Sequence, residues 1–138
     1  MERGSETVLI VEDDPLIRSL TAKILQVCGY AVMEATDGEE AIRVFVENRD
    51  LIDLVILDLV MPKKSGKEAY EEIRKVCPDV KVIIRSGHST GSDLLWAHGK
   101  EMVDFVTNPA PLKLLLKTIR ELLDRPTSIS EDERIAVG

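Results

Sequence analysis

The chain has 138 residues and a formal net charge of −7. That length specifies one domain with a short tail, large enough to bury a core without disulfides or a structural metal. The acidic balance argues against nucleic acid as the main partner, because phosphate neutralisation needs clustered Lys and Arg. No apolar run is long enough to cross a bilayer. Met1 to Glu6 lacks the charged-then-apolar design of an export signal, so a cytoplasmic location with no direct membrane contact is expected. Cys28 and Cys77 have neither CxxC spacing nor a His at ligand spacing, and read as reduced thiols that pack as small apolar groups.

Apolar strand-like runs alternate with segments of helical period. The first strand is predicted over Thr7 to Val11. Pro15 suits a first helical turn, and Ile17, Leu20, Ile24 and Val27 recur at helical spacing after it. Gly29 stops that helix. The second strand is Ala31 to Ala35, and Asp37 caps a helix carrying Ala41, Ile42, Phe45 and Val46. The third strand is Leu54 to Asp58. Ser65-Gly66 opens a third helix with Ala69, Ile73 and Val76 on one side, ended by Pro78. The fourth strand is Lys81 to Arg85, followed by a polar loop from Ser86 to Gly91 and a short helix over Ser92 to Lys100. The fifth strand is Val103 to Thr107. Pro109 and Pro111 bracket a turn, and a last helix with a broad Leu-rich face runs to Asp124.

Such alternation specifies an α/β class: a doubly wound (βα)5 flavodoxin-like fold whose parallel five-stranded sheet carries helices on both faces. With right-handed crossovers the order 2-1-3-4-5 is expected, which sets the first and third strands side by side at the switch point. Residues 1–6 read as an N-terminal extension, 7–124 as the folded domain, and 125–138 as a disordered tail or linker stub.

Asp58 ends the apolar run Leu54-Val55-Ile56-Leu57, and Glu12-Asp13-Asp14 follow the run Val8-Leu9-Ile10-Val11. In open parallel sheets, ligands bind in the crevice at the carboxyl ends of the strands. Carboxylates gathered at two neighbouring strand ends repel unless a cation sits among them, and oxygen-only ligands suit Mg²⁺.

These residues carry a family pattern. Val8-Leu-Ile-Val-Glu-Asp-Asp14, Leu54-Val-Ile-Leu-Asp-Leu-Val-Met-Pro62 with Ser65-Gly66, Val82-Ile-Ile-Arg-Ser-Gly87 and Asp104-Phe-Val-Thr-Asn-Pro109 follow in order. With them the chain resembles the receiver domain of two-component response regulators, from about Thr7 to Leu123. Its opening Gly4-Ser-Glu-Thr-Val-Leu-Ile-Val-Glu-Asp also resembles receivers at the C-terminal end of hybrid sensor histidine kinases. The resemblance implies a phosphoacceptor signalling domain and not a turnover enzyme. Asp58 would take a phosphoryl group from a phosphohistidine with Mg²⁺. Asp13 and the Val60 carbonyl would be direct ligands, and Glu12 would act through water. Asp14 matches no metal role and reads as the start of the first helix.

The resemblance also implies that Ser86 bonds a phosphoryl oxygen and that Phe105 is an aromatic switch, the plain alternatives being a loop Ser and a half-buried strand Phe. Val60 and His88 fall where the family tunes the lifetime of the phosphate. Implied partners are a histidine kinase or phosphotransfer protein, and a downstream protein at the surface of the fourth helix, fifth strand and last helix.

Two positions depart from the pattern. Asn108 stands where the family has the lysine that pairs with the phosphoryl group, and Ala110 stands where Phe is frequent. Asn donates a hydrogen bond without charge, and a neutral contact is about half as strong as a charge-assisted one. Three readings stay open. Phosphorylation persists with weaker coupling to the switch; Lys63, Lys64 or Arg85 compensates; or the domain is a pseudo-receiver that binds partners without phosphorylation. Arg85 reads as a poor substitute, because adjacent strand residues point to opposite faces. A phosphatase of the haloacid-dehalogenase type is disfavoured because Val60 stands where its general-acid Asp would be. A flavin-binding flavodoxin is disfavoured because the loop after the first strand is acidic.

Overall fold

The computed structural model describes residues 4–59, 66–86, 102–107 and 111–126. Five parallel strands form one sheet in the order β2-β1-β3-β4-β5: β1 is Thr7–Val11, β2 Ala31–Ala35, β3 Leu54–Asp58, β4 Val82–Ser86 and β5 Val103–Thr107. The described helices are α1 (Pro15–Val27), α2 (Gly38–Glu47), α3 (Gly66–Val76) and α4 (Leu112–Asp124). The expected class and strand order are those observed. β4 starts and ends one residue later than its apolar run suggests, which makes Ser86 its last residue. The helix expected over residues 92–100 and the tail from 127 onward lie outside the described residues.

Alternation along each strand divides the core in two. Leu9, Val11, Val55, Leu57, Val82, Ile84 and Val103 join Phe45 of α2 and Ile73 of α3 on one face. Val8, Ile10, Leu54, Ile56, Ile83 and Val106 join Leu25 of α1 and Leu116 and Ile119 of α4 on the other. Both faces are apolar because both are covered, as parallel sheets require.

Helix ends follow local chemistry. The Leu16 and Ile17 N–H groups donate to Asp14 Oδ1 at 2.9 and 3.3 Å, and the Glu40 N–H donates to Asp37 Oδ1 at 2.8 Å. Each contact satisfies donors that a helix start leaves open. Gly29 ends α1 with φ 100°, a conformation that costs an L side chain heavily. The stripe expected to bury α1 is only partly the buried one. Leu20 and Val27 are exposed, whereas Thr21, Ala22 and Leu25 are buried. Val46 and Val76 likewise face outward on α2 and α3. These helices carry apolar residues on more than one side, and the sheet beneath selects which side packs.

Candidate functional site

β1 and β3 are neighbours whose register pairs Val11 with Leu57. The residues that follow, Glu12 and Asp58, therefore emerge together at the carboxyl edge of the sheet. One carboxylate oxygen from each of Glu12, Asp13 and Asp58 lies within 4.8 Å of the others. Glu12 is 2 % exposed and Asp58 9 %, while Asp13 faces solvent. The cluster is a half-open acidic cup.

The backbone shapes that cup. The Glu12 N–H donates to the Ala35 carbonyl of β2 at 3.1 Å. Arg18 Nη1 donates to the Glu12 carbonyl at 2.9 Å, which ties α1 to the loop. The Asp14 N–H donates to Glu12 Oε2 at 3.2 Å, while Glu12 Oε1 is buried with no hydrogen-bond partner. Burial, reinforced by the Asp58 charge, pushes the Glu12 carboxyl up to about 7. An acceptor oxygen left open in an all-oxygen cup fits a hard divalent cation such as Mg²⁺. Asp14 stands apart from the cup as the α1 cap, in agreement with the sequence reading.

Ser86, half-buried, ends β4 on the strand next to Asp58. Phe105 is half-buried on β5, in register with Ile84 and packed against the core on the α2/α3 face. The sequence left its role divided between a switch and a packed strand Phe, and this placement is compatible with both. Gly66 opens α3 against β3, and its N–H donates to the Leu59 carbonyl at 3.1 Å. Val60, Lys63, Lys64, His88, Asn108 and Ala110 lie outside the described residues, as does the helix expected over residues 92–100; β5 and α4, the other two elements of the surface expected to contact a downstream protein, are described.

Arg85 lies on β4, the strand paired with β3. Adjacency to Ser86 sets the two on opposite faces, but the relevant partner is across the sheet. Asp58 and Arg85 are paired in register, and residues paired in parallel strands share a face. Their neighbours bear this out: Ile56 and Ile83 lie together on the α1/α4 face, and Leu57 and Ile84 on the other. Arg85 is therefore on the Asp58 side of the sheet. It is 5 % exposed, and its Nη1 donates to Thr21 Oγ1 of α1 at 3.4 Å.

The model of the response regulator receiver domain matches residues 8–120. The chain is 36 % identical over 122 residues to the sensor kinase CckA of Brucella abortus, covering 88 % of this chain and 13 % of that protein. It is 35 % identical over 127 residues to the transcriptional regulatory protein GlrR of Escherichia coli, covering 92 % of this chain and 28 % of the other. It thus spans a minor part of both relatives. Among solved structures, a response regulator receiver domain protein of Clostridium thermocellum superposes with a TM-score of 0.80 at 31 % identity, covering 87 % of this chain and 95 % of that one. The receiver domain of the hybrid histidine kinase CckA gives 0.72 at 34 % identity, covering 86 % and 99 %. With its five-stranded order, its acidic cup at the switch point and these matches, the chain belongs to the response regulator receiver family, the signalling domains of two-component systems.

Proposed function

We propose that this receiver is an active phosphoacceptor and that Asp58 is its acceptor. The observation that carries the reading is the convergence of Glu12, Asp13 and Asp58 within 4.8 Å at the crevice of the switch point, with a buried Glu12 oxygen left unpartnered. An Asp58 carboxylate oxygen attacks the phosphorus of a partner's phosphohistidine. A P–O bond forms, the P–N bond breaks, and the imidazole nitrogen leaves with the bonding pair. Asp13 and Asp58 would hold Mg²⁺ directly and Glu12 through water, with the Val60 carbonyl added by family analogy. When bound, that cation offsets charge on the transferring phosphoryl group. Ser86, one strand over, would donate its hydroxyl proton to a phosphoryl oxygen, and Phe105 would follow the movement of Ser86.

The partners implied are a histidine kinase or phosphotransfer protein as donor, with output through protein contacts at the β5 side. The similarity to the hybrid histidine kinase CckA supports a donor in the same chain as one arrangement. The Asn that replaces the family lysine at position 108 favours a second reading, a phosphorylation-independent interaction module. Intact mass after incubation with acetyl phosphate and Mg²⁺ separates the two. A phosphoryl adduct on the parent chain that Asp58→Asn lacks supports the acceptor. Its absence, both with acetyl phosphate and with a phosphorylated kinase as donor, leaves the interaction module.

A further inference from the structure

We propose that Arg85 supplies the positive charge that the phosphoryl group on Asp58 needs, in the place of the lysine that this chain lacks at position 108. The proposal rests on the phosphoacceptor reading above. Asp58 and Arg85 are cross-strand neighbours in register, on strands about 4.8 Å apart. An extended arginine side chain exceeds that spacing, so its guanidinium can reach a group carried by the Asp58 carboxylate.

The state of Arg85 in the unphosphorylated chain is the second support. It is 5 % exposed, on the sheet face that holds Ile56, Ile83 and Leu116. Its Nε is buried with no hydrogen-bond partner, and among the described residues its Nη1 reaches only the neutral Thr21 hydroxyl, at 3.4 Å. No carboxylate among the described residues pairs with it. Withdrawing a charge from water without a counter-charge costs several kcal/mol, and a buried arginine normally has its partner in place. This one keeps a buried open donor, Nε, on the strand paired with the one that carries Asp58. A dianionic phosphoryl group arriving on Asp58 would bring the missing acceptor oxygens, and guanidinium donors suit phosphate geometry. The residue is a tether waiting for its anion, so its pairing with Thr21 would exchange for pairing with phosphate, and α1 would feel the change.

The test uses acetyl phosphate and Mg²⁺ and follows the rate of adduct formation by intact mass. The chains compared are the parent, Asp58→Asn, Arg85→Met, Arg85→Lys and the double variant Arg85→Met with Asn108→Lys. Met fills the apolar site without charge, and thermal melts verify that each chain folds. The expected result is an adduct on the parent, labelling slowed about 10- to 100-fold by Arg85→Met, smaller loss with Arg85→Lys, and recovery to within a few-fold of the parent in the double variant. Labelling of Arg85→Met at the parental rate overturns the assignment while the acceptor reading stands. Slow labelling that Asn108→Lys fails to restore overturns it too, since the arginine would then be acting through packing. If the parent forms no adduct with acetyl phosphate or with a phosphorylated kinase as donor, the acceptor reading falls first, and this proposal with it.

Discussion

The backbone of Gly66 presses against the backbone of Asp58. A Cβ placed on Gly66 would meet the Asp58 carbonyl oxygen at 2.5 Å and the Leu59 Cα at 2.9 Å. The start of α3 is thereby seated directly on the strand end that carries the central carboxylate, and neither backbone atom can yield as a flexible side chain would. Gly66→Ala is expected to destabilise the fold by about 1–3 kcal/mol, the usual range for overpacking, and to slow labelling of Asp58. Chemical denaturation together with the acetyl phosphate assay checks both. Unchanged stability would mean that α3 can move off β3 freely.

Asp13 and Asp14 are adjacent in sequence and divide their work. Asp14 caps α1 through two backbone N–H groups, so Asp14→Ala should cost about 1 kcal/mol and leave Mg²⁺ affinity nearly intact. Asp13 is exposed and faces Glu12 and Asp58. Asp13→Ala should leave stability without Mg²⁺ unchanged or slightly higher, since it relieves like-charge repulsion, and should weaken Mg²⁺ binding at least 10-fold. Denaturant melts paired with calorimetric Mg²⁺ titrations distinguish the two.

Cation binding should be visible as stability. A ligand that binds only the folded chain adds about 2.7 kcal/mol at a hundredfold excess over its Kd. Mg²⁺ is therefore expected to raise the melting temperature of the parent chain. Glu12→Gln removes a buried, incompletely satisfied carboxylate. It should melt higher than the parent without Mg²⁺ and gain less when Mg²⁺ is added. An equal gain in both chains would place the cation elsewhere.

At the opposite end of the sheet, Arg120 of α4 bonds both carboxylate oxygens of Glu6 and also Asp124. The Arg120 hydrogen bonds hold the Glu6 carboxyl down at about 2, from an ordinary 4.5. The folded-state value lies below the unfolded one, so the stabilisation is present above about pH 4.5 and is lost as pH falls through about 2. The side chains of Arg120 and Glu6 are 20 % and 28 % exposed, and solvent screening reduces the contribution to about 1–2 kcal/mol. Glu6→Gln should be less stable than the parent by that amount at pH 7. The gap should close toward pH 2. A gap constant with pH would assign the loss to packing and not to the ion pair.

Much of the fold is local in origin and was legible residue by residue. Asp14 and Asp37 start helices because their side chains accept from N–H groups two or three residues on. The strand Val8 to Val11 ends in acids, and that alone placed Glu12 and Asp13 at the carboxyl edge. The outward side of α1 was less legible, because Leu20 and Val27 have the same period as a core stripe and yet lie exposed. Periodicity marks a helix but does not choose among its faces when several are apolar.

What the sequence by itself determined is the set of elements, their order and the residue types at the strand ends, because hydrophobic period, capping and turn chemistry act over a few positions. The tertiary structure alone decided which of those ends share a face. The register of Asp58 with Arg85 and the burial that leaves Glu12 Oε1 and Arg85 Nε without partners arise from strands far apart in the chain. A shift of one residue in cross-strand pairing moves every side chain to the other face of the sheet, so the relation between the central carboxylate and its buried arginine exists only once β3 and β4 have paired.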